Sequence, residues 1–195
     1  MDRLVIHICG DYILKMAYTV GAVMDLYPLY ADLPDVKVVG KFGNEYMRPA
    51  QLIDALQAPE STGIDATIRT ACILAEHGML RGQYYGFGSD TVPSILEILK
   101  VTKTTENFLA LKGAILTAIT EGSRRDIKEE GTDIFAAELN AKESALKRER
   151  PTIAKYYTAG KLAGLTAIET YTEFVGVIAD IIEIQPKRKE KSKDI

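Results

Sequence analysis

Three groups of residues carry side chains at spacings that suit chemistry. His7, Cys9 and Asp11 alternate at the end of the apolar run Leu4-Val5-Ile6-His7-Ile8-Cys9. In an extended strand the imidazole and the thiol fall on one face, where they could share a metal or a proton, or pack as ordinary core. Zinc needs three or four ligands, and the only other cysteine, Cys72, sits on the apolar side of a predicted helix. The second group is the stretch Tyr84-Tyr85-Gly86-Phe87-Gly88-Ser89-Asp90-Thr91-Val92-Pro93. Glycine admits positive φ and close approach of a ligand, and a helix N-terminus offers unpaired N–H groups. Gly86, Gly88, Ser89 and Thr91 are therefore candidate anion contacts, although a plain turn followed by a capped helix needs the same residue types. The third group is Asn44 with Glu45 and Arg48.

The elements that would bring these groups together read as α/β. A strand through Cys9 leaves by Gly10-Asp11, and Ile13, Leu14, Ala17, Val20, Gly21 and Met24 then recur at helical spacing. Val36-Lys37-Val38-Val39-Gly40 is a second strand. Strand, helix, strand is the order of a parallel unit, whose carboxyl edge would gather Cys9, Gly10, Asn44 and the glycine loop as ligand contacts. Asp11 and Asp90 are the candidate general bases there. The turn lacks the dinucleotide fingerprint, because Asp11, Tyr12 and Ile13 follow Gly10.

Pro49 opens a helix through Leu56, and Pro59 ends it. A second helix carries Ile64, Ile68, Cys72 and Ala75 on one face and stops at His77-Gly78, a basic last turn with a glycine at C′. Met79 to Gly86 is expected as a third strand. Beyond the loop the period is helical. Ser94 and Glu97 are spaced as a capping box, and Thr104 or Thr105 starts a helix with Phe108, Leu111, Ile115, Ala118 and Ile119 on its stripe and Gly122 as its stop. Ser123 to Gly131 reads as a charged, solvated connection, and Thr132 opens a helix that ends before Pro151. From Pro151 to Pro186 the apolar spacing predicts one long helix, or two bent near a glycine, with a strand over 175–184 as the alternative. Gly160, Ala163, Gly164 and Ala167 make room there for a neighbouring backbone.

The fold expected is thus a small, mostly parallel, Rossmann-like sheet in the N-terminal half and a helical C-terminal half with one long helix. The regions are 1–101 for ligand binding, 102–186 for helical packing and oligomerisation, and 187–195 as a basic tail. With 195 residues, 47% of them hydrophobic, the chain can bury a core. A net charge of -3 argues against nucleic acid as a partner, and two cysteines make no disulfide framework. The first residues, Met1-Asp2-Arg3 and a short interrupted apolar run, suit neither a signal peptide nor a membrane span, so the expectation is cytoplasmic.

His7-Ile8-Cys9-Gly10-Asp11, Gly43-Asn44 and Gly86-Phe87-Gly88 with Asp90-Thr91 also resemble, over about half the chain, landmarks in the second half of the uroporphyrinogen decarboxylase and corrinoid methyltransferase barrels. The resemblance implies methyl transfer. In the zinc-dependent methyltransferases of that group a His-x-Cys pair is completed by a later cysteine, where this chain has Phe87. Three readings of function follow. One is a small-molecule protein that binds, and as an enzyme would convert, a small anionic metabolite bearing a phosphate or nucleotide. The second is a non-enzymatic homo-oligomer that assembles through the long C-terminal helix. Methyl transfer is the third. No pattern names a cofactor.

Overall fold

The computed structural model describes residues 3–40, 43–86, 91–126 and 153–184. Val5–Cys9 (β1) and Tyr12–Met16 (β2) pair antiparallel, with Cys9 opposite Tyr12 and Val5 opposite Met16. The chain reverses through Gly10-Asp11 alone. Gly10 takes φ +61°, as the first position of a two-residue hairpin turn requires. Ile13 and Leu14 therefore belong to a strand and not to a crossover helix. Leu14 and Met16 are buried while Ile13 is exposed, a period of two.

Thr19 caps a short helix, Val20–Leu26 (α1), its side chain accepting from the Ala22 N–H. A 3₁₀ turn over Tyr27–Leu29 follows. Val36–Val39 (β3) is a strand as expected, but it pairs antiparallel with Glu45–Arg48 (β4). Among the described residues the sheets are these two antiparallel hairpins. Among the described residues the parallel, Rossmann-like sheet and its carboxyl edge are not formed.

Leu52–Gln57 (α2) leads through Pro59 into Glu60–Tyr84 (α3), 25 residues long. This helix absorbs the strand expected over Met79 to Gly86. Gly78, expected to end a helix, lies inside it because β2 crosses there. A β-carbon at Gly78 would overlap the Lys15 carbonyl oxygen and lie 2.7 Å from its carbon. Ile95–Val101 (α4) starts with the reciprocal Ser94 and Glu97 caps, and Thr105–Ser123 (α5) with the Thr104 cap, both as the sequence predicts. Gly122 sits within α5, buried against Tyr18, so it serves packing and does not stop the helix.

The long C-terminal helix is also corrected. Ile153–Leu162 (α6), Ala167–Thr172 (α7) and Val175–Ile184 (α8) are separate, and the last is helical, not extended. Gly164 breaks the run with φ +81°. Gly160 lets α7 fold back, since a β-carbon there would overlap the Thr170 hydroxyl. The helix expected from Thr132 and the tail from Lys187 lie outside the described residues.

The core is built on α3. Ile68, Ala71, Leu74 and Ala75 join Leu14 and Met16 of β2, Leu56, Ile98, and Leu111, Ile115 and Ala118 of α5. A second cluster joins Val20 to Tyr156, Ala159 and Ile178.

Candidate functional site

The described residues among those named from sequence belong to separate elements: Cys9, Gly10 and Asp11 to the first hairpin, Asn44 to the second, Gly86 to the turn after α3 and Thr91 to the segment before α4. Cys9 is buried at the end of β1, and burial pushes its thiol up. Gly10 and Asp11 form the exposed hairpin turn, with Gly10 against the Val101 side chain. Asn44 is exposed in the other hairpin, its carbonyl accepting from the Gly40 N–H at 2.8 Å. Gly86 ends the described part of the loop at φ +76° with open space beside it. Gly88, Ser89 and Asp90 lie outside the described residues. Thr91 lines a cavity of about 10 Å³ with Ile13, Leu14, Ala75, Met79 and Pro93. That volume suits one water.

His7 and Cys9 do share the inner face of β1, as the strand spacing predicts. His7 is half-buried, and desolvation holds its imidazole below the usual range. Cys72 faces the Pro93 carbonyl at 4.0 Å, its thiol pushed up to about 11 by burial. Among the described residues no group of three or more His, Cys, Asp or Glu could hold a metal.

A dense polar cluster lies elsewhere, where α1, α3 and α7 meet. His77 is 1% exposed, with Nδ1 3.0 Å from Thr19 Oγ1 and Nε2 2.8 Å from Asp25 Oδ2. Tyr171 donates to the same carboxylate oxygen at 3.0 Å, its ring centroid 5.3 Å from that of His77. Gly21 admits both rings, because a β-carbon there would lie 2.5 Å from Tyr171 and 2.6 Å from His77. The Asp25 carboxylate can only accept, so the imidazole donates from Nε2, and Nδ1 of the neutral ring accepts from the Thr19 hydroxyl, whose oxygen also accepts from Ala22. Burial depresses the His77 pKa, with Asp25 pulling the other way. The Tyr171 phenol is pushed up to about 12 by burial, then by its bond to Asp25.

Hydroxyl, imidazole and carboxylate in a row is the order of a hydrolytic triad. Here the hydroxyl is the fully buried N-cap of α1, with no room for a reacting carbon beside it. The row fastens three helices; it does not present a nucleophile. The sequence pattern reads His77 as the basic last turn of a helix and singles out neither Thr19 nor Asp25, which lie close together in α1 but far along the chain from His77 and Tyr171.

Two more clusters close the body. Arg81 stacks over Tyr85 and Phe174 at 4.5 and 4.2 Å, donates to the Thr172 carbonyl and pairs with Glu173. Arg3, 3% exposed, donates to the Arg124 carbonyl and to Asp126. Asp180 of α8 in turn accepts from Arg125 and from the Asp126 N–H. Arg124 to Asp126, expected as a solvated connection, thus ties α8 to the start of the chain.

Outside these fastenings the hairpins expose apolar side chains. On one face of β1–β2, Ile6, Ile8 and Ile13 are 63%, 72% and 57% exposed. On β3–β4, Val39, Tyr46 and Met47 are exposed. Among the described residues no helix is long and apolar enough to cross a membrane. No family model, curated protein or solved structure matches the chain.

Proposed function

We propose that the chain is a non-enzymatic assembly protein that associates with copies of itself, using the apolar face of β1–β2 in place of a long C-terminal helix. The exposed isoleucine row carries this reading. Ile8 stands directly opposite Ile13, with Ile6 two residues along the same face, so the three make one continuous strip on a hairpin whose other face is core. Contiguous apolar strips of this kind mark contact surfaces. The body behind it is fastened by the His77, Arg81 and Asp180 clusters, so it presents the strip on a fixed support.

Light scattering over rising protein concentration tests the proposal, alongside thermal shift against nucleotides and phosphorylated metabolites. The expected result is a mass that climbs from monomer toward a defined multimer, with no ligand raising the melting temperature. A monomer at every concentration overturns it. A metabolite that raises the melting temperature as ln(1 + [L]/Kd) instead supports the anionic-ligand reading of the Gly10 and Gly88 turns.

A further inference from the structure

We infer that two copies join edge to edge along β1, antiparallel, with the two-fold axis at His7. The inference rests on the self-association reading and names the surface used. A two-residue turn makes Cys9 and Tyr12 a hydrogen-bonded pair, so bonded pairs recur at His7 with Leu14 and Val5 with Met16. Ile6 and Ile8 therefore turn their N–H and C=O groups away from β2.

The far side of β2 obeys the same parity and is occupied. Ala17 N–H donates to the Leu74 carbonyl of α3 at 2.9 Å, and the Lys15 carbonyl lies against Gly78. Among the described residues the far side of β1 is open at Ile6 and Ile8. Its outward residues are the highly exposed Ile6 and Ile8, and among the described residues no group bonds to their main chain.

That edge is complementary to itself. Set antiparallel about His7, Ile6 of one copy faces Ile8 of the other, and each such pair exchanges its N–H and C=O groups. The hairpins become one sheet in the order β2-β1-β1-β2, and the isoleucine strip continues across the axis. β1 carries none of the devices that block edge pairing, such as proline, lysine or an acidic side chain. The other hairpin does, with the Lys37–Glu45 ion pair and Arg48 along it. A five-residue edge, ~17 Å long, buries less than the ~800 Å² per partner of a standard interface, so pairing is concentration-dependent.

The test is a register-specific cross-link. In a Cys9→Ala, Cys72→Ala background, His7→Cys places two cysteines face to face across the axis as a non-hydrogen-bonded pair, with Cα atoms ~4.5 Å apart. Mild oxidation is expected to give a disulfide-linked dimer, whereas Ile6→Cys, which meets Ile8 and not itself, gives little. Separately, Ile8→Pro removes an outward N–H without touching the bonds to β2, and is expected to abolish the dimer with the far-UV circular dichroism unchanged. Should that variant fail to fold, Ile6→Lys supplies the same reading through edge charge. No cross-link, together with undiminished association of Ile8→Pro or Ile6→Lys, overturns edge pairing and leaves self-association standing. A wild-type monomer at all concentrations removes the underlying reading instead.

Discussion

Replacing Gly78 by alanine and Gly113 by alanine is the same chemical change in two helix interiors, and the structure assigns the two opposite signs. Alanine is favoured over glycine in a helix by about 0.8–1.0 kcal/mol, so propensity alone would stabilise both variants. At Gly113 a β-carbon meets nothing within 4 Å, so that gain is expected in full. At Gly78 the added carbon would overlap the Lys15 carbonyl oxygen and approach the Met16 nitrogen. The obstacle is backbone, not the end of a flexible side chain, so α3 and β2 must separate by more than an ångström. Leu14 and Met16, buried against α3, would lose packing with Leu74 and Ala75. Overpacking of this kind costs ~1–3 kcal/mol, and a displaced strand puts the case at or above the upper end. Set against the propensity gain, Gly78→Ala is expected to lose about 2 kcal/mol or more, and Gly113→Ala to gain about 1 kcal/mol. Urea midpoints at equal m-value read both. A neutral or stabilised Gly78→Ala would refute the close crossing of β2 over α3.

The chain has two histidines, so its stability near neutral pH reports on few groups. Burial holds folded His77 and His7 below the unfolded value of about 6.5, so the unfolded chain binds protons that the folded chain refuses. Stability is therefore expected to fall as pH drops below about 6.5 and to level off once the folded imidazoles titrate; urea midpoints of His77→Gln and His7→Gln against pH should each flatten the slope. Asp180→Ala leaves the Asp126 N–H and Arg125 without their carboxylate. Because Arg125 is one-third exposed, the expected loss is about 2–3 kcal/mol by urea unfolding, below that of a fully buried pair.

Local signals in the sequence carried their elements. Ser94 with Glu97 and Thr104 each mark a helix start by a side chain that bonds the first turn, which needs no tertiary context. Errors arose where one residue type serves two geometries. Gly10-Asp11 suits both the exit from a parallel strand and a two-residue hairpin turn. The alternation from Tyr12 to Met16, buried at Leu14 and Met16 and exposed at Ile13, is the signal that decides between them. Gly78 beside His77 reads as a helix terminus, yet its missing side chain admits a crossing strand, a fact of distant chain. Gly164 had the opposite fate: within a continuous apolar spacing it breaks the helix, because it takes a left-handed conformation while Gly160 receives Thr170. Of the candidate site, the shared face of His7 and Cys9 was legible from strand period. The His77 cluster was not, since Thr19 and Asp25 of α1, His77 of α3 and Tyr171 of α7 come from three helices that only tertiary packing assembles.

Amide hydrogen exchange at β1, followed residue by residue as protein concentration is raised, addresses self-assembly most directly. Val5, His7 and Cys9 bond to β2 and are expected to exchange slowly at every concentration, while Ile6 and Ile8 exchange fast when dilute and slow progressively as copies pair. Exchange at Ile6 and Ile8 that does not change with concentration would contradict the account.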